Sequence, residues 1–178
     1  MAELAIEDAL RRASLIGSIC VHWSAIEGYV ALTIWEMLGV RAETGKILTG
    51  GLDMLPRLNM AILLARHLKA GKKIERALVA LRKEIQDGLD QRRNVAVHGL
   101  NYVIEGKVLV EMHRGRGDRT RREFPINELA QTEKDLGRVM TAYSAALLPW
   151  SSWWVPKRDA IALKILTAAS EARSKSGS

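Results

Sequence analysis

The stretch QRRNVAVHGL, residues 91–100, carries three kinds of polar side chain that could act together on one substrate. Arg93 has a permanent positive charge and can hold a phosphate through two parallel hydrogen bonds. Histidine as a residue type titrates near neutrality, so the imidazole of His98 can serve as a general acid or a general base. Asn94 can orient the imidazole or a substrate oxygen through its amide. The combination suits chemistry at a phosphate, provided that the three side chains share a surface.

The helical period of the preceding sequence predicts that they do. Apolar residues recur at three- and four-residue steps and predict a third helix from about residue 73 to residue 98. Its apolar stripe is formed by Ile74, Leu78, Leu81, Ile85 and Leu89. At about 100° per residue, Asn94 and His98 lie within roughly 40° of each other, nearly opposite this stripe. Arg93 lies on the flank, from which its long side chain can reach around.

Arg92 is expected on the core-facing side of the same helix, where an unpaired charge is costly. The candidate counter-ion by residue type is Glu27, an acid close to the apolar stripe of the first helix. Glu27 therefore either neutralises Arg92 or belongs to the polar site. The first role is favoured, because a buried charge needs a partner before anything else.

A structural explanation of the triplet competes with a functional one. Charged residues on helices usually face solvent, and a histidine before Gly99 suits the negative end of the helix dipole. The order Arg-Asn-x-x-x-His is more specific, since it is expected in about one ordinary chain in a hundred of this length. Its context is also specific, because a long first helix with an internal acid and a second helix precede it.

The remaining pattern predicts a mostly α fold, an up-and-down bundle of four to five helices with a small β-hairpin after the third. The first helix runs from residue 3 to residue 38, with Gly39 closing it. Its apolar stripe is formed by Ile16, Ile19, Trp23, Ile26, Val30, Ile34 and Met37. A loop with a helical turn around Lys46 follows, and Asp53 caps a second helix that ends at Gly71. Alternating residues around Glu105–Gly106 predict the hairpin. Helix returns from about 127 to 148. The whole chain, 1–178, is predicted to be one domain. Residues 101–125 form the hairpin and a basic arm, which is either mobile or the edge of that hairpin, and residues 157–178 form a C-terminal helix and a frayed tail.

Composition and charge indicate the class of partner and the cellular location. The 178 residues carry a formal net charge of +7, which favours a polyanionic partner. Charge interrupts the apolar stretches before they reach the roughly 18 residues that span a membrane, and acidic residues open the chain, so no membrane and a cytoplasmic location are predicted. The single cysteine, Cys20, has no internal partner for a disulfide. Neither a metal site nor a cofactor is predicted.

The motif and its helical context together resemble the HEPN superfamily. Its signature is an arginine, a polar residue that is often asparagine, three or more residues, and a histidine, and RRNVAVHG matches it at Arg93, Asn94 and His98. The resemblance extends over the organisation of about residues 5–148. It implies a helical bundle that is either a metal-independent endoribonuclease of toxin or phage-defence type, or a non-catalytic RNA-binding or scaffold protein. A helical protein-interaction module with an accidental motif is the remaining alternative.

For a ribonuclease, the resemblance implies a site shared by two copies of the chain. RNA supplies its own nucleophile, the 2′-hydroxyl, but cleavage needs both an acid and a base, and one protomer offers one such histidine. A homodimer that brings the outer faces of the third helices together supplies two. The superfamily also implies an antitoxin, such as a nucleotidyltransferase-type protein, as a partner.

Two further segments could contact RNA. The arginines crowded into residues 114–122 with intervening glycines suit a phosphate backbone, although such runs also serve as solubilising loops. They are Arg114, Arg116, Arg119, Arg121 and Arg122. Trp150, Trp153 and Trp154 could stack bases, but a subunit interface or core closure is favoured for them.

Overall fold

The computed structural model describes residues 2–104, 107–114 and 118–146, and the side chains of residues 6–99, 111 and 123–146. Over these residues the chain is mostly helical. Five helices are α1 (Ala2–Leu38), α2 (Ala42–Thr49), α3 (Met54–His67), α4 (Lys72–Glu84) and α5 (Asp90–His98), and α6 spans 126–146. Three strands lie between α5 and α6, namely β1 (Leu100–Ile104), β2 (Lys107–Arg114) and β3 (Asp118–Glu123).

The apolar stripes expected from the sequence form the core. Along α1 the stripe is buried at Ile19, Trp23, Ile26, Val30, Ile34 and Met37. The stripe after Gly71 is buried too, at Ile74, Leu78, Leu81, Ile85 and Leu89. The end of α1 also agrees, since Gly39 takes a φ of 68°. Asp53 occupies the N-cap position of α3, but its side chain makes no capping hydrogen bond.

Two elements differ from the sequence expectation. Only a helical turn was predicted around Lys46, whereas α2 is a helix of eight residues. One tertiary contact stabilises it, because the indole of Trp35 in α1 donates to Thr49 Oγ1 at 3.0 Å. Within α2, Thr49 Oγ1 also donates to the Gly45 carbonyl at 2.9 Å. The predicted third helix is broken as well. A π-helical segment, Ile85–Leu89, separates α4 from α5, and Gly88 within it has a φ of 108°.

The sheet is an antiparallel meander in the order β1-β2-β3. Two strands were predicted here, and β3 lies where a mobile arm or a hairpin edge was expected. Its backbone register sets Glu111 opposite Arg121 and His113 opposite Arg119. The predicted turn at Glu105–Gly106 and the predicted tail at 157–178 lie outside the described residues.

The chain divides into two compact units. Of the described residues, the first unit contains 2–28 and those between Ala80 and Tyr143, and the second contains Tyr29–Val79 and 144–146. The first unit contains α5, the sheet and most of α6. Every contact of the candidate site described below lies within it. The single domain predicted for 1–178 stays a prediction.

The α1 segment Ile6–Leu38 is long and apolar enough to cross a membrane, judged by length and composition alone. Its best 18-residue window has a mean hydropathy of 1.4, and 28% of that window is buried. Core helices of soluble proteins and signal sequences pass the same test. Apolar residues of α1 include buried ones, such as Trp23 and Ile26, and exposed ones, such as Leu10 and Val21. The cytoplasmic location and the absence of a membrane therefore stay predictions.

Candidate functional site

The helix that carries the motif begins directly after the π-helical segment. One ion pair to α6 lies on each side of that segment. Before it, Glu84 receives two hydrogen bonds from Arg138, at 3.2 and 3.0 Å; after it, Arg92 Nη1 donates to Asp135 Oδ2 at 2.8 Å. Burial of Val95 and Ala96 anchors the other side of α5. Ion pairs to α6 therefore hold the chain both before the π-helical segment and at the start of α5.

The polar side chains of α5 form a continuous hydrogen-bonded chain. Asn94 Nδ2 donates to Asp90 Oδ2 at 3.3 Å, and Asn94 Oδ1 accepts from Arg93 Nη1 at 2.7 Å. The same Nη1 lies 3.3 Å from His98 Nε2. The structure thus brings together the three motif residues that the sequence singled out. It adds Asp90 at the start of the chain, while His98 at its end is exposed to solvent.

The chemistry of these groups fixes their orientation. A carboxylate only accepts hydrogen bonds and an arginine only donates them, so Asn94 has to turn its Nδ2 toward Asp90 and its Oδ1 toward Arg93. For the same reason, His98 can engage Arg93 only by accepting at Nε2. That bond requires the neutral imidazole with its proton on Nδ1, which is the form that a general base needs.

The guanidinium of Arg93 rests on the indole of Trp23 in α1. Its Cζ lies 4.8 Å from the ring centroid, within the range of a cation–π interaction. Trp23 is 2% exposed, whereas Arg93 is half-buried. Among the described residues, the buried Nε of Arg93 has no hydrogen-bond partner, and Nη2 makes no hydrogen bond either. The arginine is therefore held by its face and along one edge, and no described residue accepts a hydrogen bond from Nη2.

The predicted pairing of Arg92 with Glu27 is wrong, because Arg92 pairs with Asp135 of α6. Burial raises the pKa of Asp135, but hydrogen bonds from Arg92 and Gln131 outweigh it, so the pKa lies below its ordinary value. The error arose because helical periodicity shows which way a residue faces but not which helix lies opposite it. Glu27 is half-buried and makes no hydrogen bond or ion pair with any residue that the structure describes. Its membership of the site stays a prediction.

The predicted RNA-binding arginines fall largely on the sheet. Arg114 ends β2, and three others, Arg119, Arg121 and Arg122, lie on β3, an edge strand of the meander. The sheet begins beside the motif, since β2 contacts α5. Arg116 lies outside the described residues, as do Trp150, Trp153 and Trp154.

The other histidines with described side chains, His22 and His67, make no hydrogen bond or ion pair with the described motif residues. His22 packs against Gly137 of α6, with Nδ1 3.7 Å from a Glu133 oxygen, and His67 is exposed on α3. No group of three or more histidine, cysteine, aspartate or glutamate residues in the described part of the chain could hold a metal ion.

Sequence reasoning missed three residues around the motif. Trp23 was assigned to the apolar stripe of α1, and its proximity to Arg93 depends on tertiary packing. Asp135 lies more than forty residues from its partner, so no local pattern reveals the pair. Asp90 stands four residues before Asn94, and this helical spacing was the one signal that could have identified it.

Comparison with known proteins yields no match to a protein-family model, to a curated protein or to a solved structure. The resemblance to the HEPN superfamily therefore rests on Arg93, Asn94, His98 and their helical context.

Proposed function

We propose that the protein is a metal-independent endoribonuclease of the HEPN type, acting at a site shared by two copies of the chain. The observation that carries the proposal is the position of the Arg93 guanidinium. One of its nitrogens lies against both Asn94 and His98, while Nη2 makes no hydrogen bond with a described residue. A phosphate-binding cation and a base-competent imidazole thus stand side by side at an exposed helix end.

The reaction follows from these groups. His98 Nε2 exchanges its bond to Arg93 for the 2′-hydroxyl of the substrate and removes that proton. The 2′-oxygen then bonds to the adjacent phosphorus, and the bond from phosphorus to the 5′-oxygen breaks. Arg93 neutralises the additional negative charge on the phosphorane oxygens through Nη2 and the Nη1–H group released from His98. The partner's His98, in its protonated form, donates the proton to the leaving 5′-oxygen. The products are a 2′,3′-cyclic phosphate and a 5′-hydroxyl.

RNA is the substrate that fits the surroundings of the motif. Arginines at 114, 119, 121 and 122 lie on the two strands that follow α5 and β1, and β2 contacts α5. Such a basic edge favours the phosphate backbone of RNA over any particular base sequence. The same proposal includes an up-and-down order of the helices and a homodimer. It also includes a toxin or phage-defence role in the cytoplasm and a nucleotidyltransferase-type antitoxin as partner.

Cleavage of labelled RNA in excess EDTA tests the proposal. We expect chelator-resistant cleavage with cyclic-phosphate ends, abolished in His98→Ala and in Arg93→Ala. The matched controls are His67→Ala and Arg76→Ala, which remove an exposed histidine and an exposed arginine from the second unit and should cut like the wild type. Cleavage that survives His98→Ala would overturn the proposed site. Binding of RNA without cleavage would establish the scaffold alternative instead.

A further inference from the structure

We infer that Trp23 is a positioning residue of this site, which sets the plane of the Arg93 guanidinium and thereby its reach toward His98 and a substrate phosphate. The inference rests on the proposed function. Its structural basis is the stacked pair itself, in which Arg93 Cζ lies 4.8 Å from the centre of a ring that is almost completely buried.

The hydrogen-bond inventory of Arg93 shows why a ring is needed. A guanidinium has five N–H groups in one plane. Those on Nη1 face Asn94 and His98, the one on Nε is buried without a hydrogen-bond partner among the described residues, and the two on Nη2 make no hydrogen bond with a described residue. The bonds to Nη1 fix one corner of the plane but leave rotation about that corner free. The indole supplies the missing constraint, because it attracts the whole face of the cation.

The environment of Trp23 is consistent with this role. Its Nε1 is also buried without a hydrogen-bond partner among the described residues, so within them packing orients the ring. Removal from water strengthens the attraction between a cation and a π-face. An ordinary core tryptophan would need only volume and apolar surface at this position, whereas a positioning residue needs an aromatic face. Phenylalanine and leucine separate these two requirements.

The experiment compares Trp23→Phe, Trp23→Leu and the control Trp35→Phe, which removes a tryptophan from the second unit. The first readout is the NMR resonance of the Arg93 Nε–H group, identified by its disappearance in Arg93→Lys. In the wild type the ring current of Trp23 should move it upfield. We expect the upfield shift to be lost in Trp23→Leu, retained in part in Trp23→Phe and unchanged in Trp35→Phe.

The second readout is the rate of RNA cleavage. We expect kcat to fall about tenfold to a hundredfold in Trp23→Leu, with a smaller change in KM. The reason is that a displaced guanidinium stabilises the transition state much less, whereas it weakens binding of the substrate only a little. Trp23→Phe should recover part of the loss. The double variant Trp23→Leu, Arg93→Ala should be no slower than Arg93→Ala alone, since Trp23 acts through Arg93.

The two readouts separate failure of the inference from failure of the proposed function. A wild type without the upfield resonance, or a folded Trp23→Leu that cleaves RNA at the wild-type rate, would refute the role of Trp23. If the wild type lacks ribonuclease activity, the resonance is followed instead on titration with a 2′-O-methyl oligonucleotide. Movement of the resonance in the wild type but not in Trp23→Leu would then uphold the positioning role without the cleavage.

Discussion

Substitution of Gly88 tests whether the helix is interrupted before α5. It lies in the π-helical segment before α5 with a φ of 108°, a conformation that costs a residue with a side chain about 2 kcal/mol. No atom lies within 4 Å of the Cβ that an alanine would add, so the cost is conformational and not steric. Alanine also restricts the unfolded chain, which offsets about 0.7 kcal/mol. Gly88→Ala should therefore lower the free energy of unfolding by about 1 kcal/mol.

The matched control is Gly17→Ala, a change of the same two residue types within α1. Gly17 has no positive φ, and its added Cβ would also meet nothing within 4 Å. This alanine should raise the free energy of unfolding by up to about 1 kcal/mol, because glycine is a poor helix former. Urea unfolding followed by circular dichroism measures both. A Gly88→Ala variant as stable as Gly17→Ala would refute the positive φ of Gly88 and would indicate one continuous helix instead.

Three other changes give distinct outcomes. Asp135→Asn should lower the free energy of unfolding by about 0.5 kcal/mol at pH 7, a small effect because its ion pair with Arg92 is partly exposed. The difference should vanish in acid: a lowered pKa contributes stability above the ordinary value of 3.8 that is lost as the pH falls through the folded-state pKa, and equal pH profiles would contradict this. Gly45→Ala should lower stability by about 1–3 kcal/mol, seen as a lower Tm, because its Cβ would overlap the Trp35 ring. Arg93→Lys should reduce kcat/KM for RNA at least about tenfold despite keeping the charge, because lysine lacks the planar fork, and full activity would exclude bidentate binding.

The core residues and the common face of the motif residues could be predicted from the sequence because both depend on local spacing. The apolar residues of α1 and α4 recur at helical steps, and their burial follows from that period. Asn94 and His98 stand one helical turn apart, so their common face could be calculated. The reach of Arg93 around the helix followed from the length of its side chain.

The remaining features depend on tertiary structure or on one backbone angle. Gly88 looks like a tolerated residue inside a helical pattern, and only its φ shows that the helix is interrupted. Arg92 faces the expected side, but the partner opposite it comes from α6 and not from α1. Trp23 fits an apolar stripe so well that its contact with Arg93 leaves no trace in the sequence.

Subunit mixing tests most directly whether two copies must complete one site. Wild-type protein is mixed with inactive His98→Ala in varying proportions, allowed to exchange subunits, and assayed on labelled RNA at constant total concentration. If cleavage needs a histidine from each copy, activity falls with the square of the wild-type fraction, to about one quarter at equal proportions. Activity that falls in direct proportion to that fraction would mean that each chain cuts RNA with its own residues and would contradict the shared site.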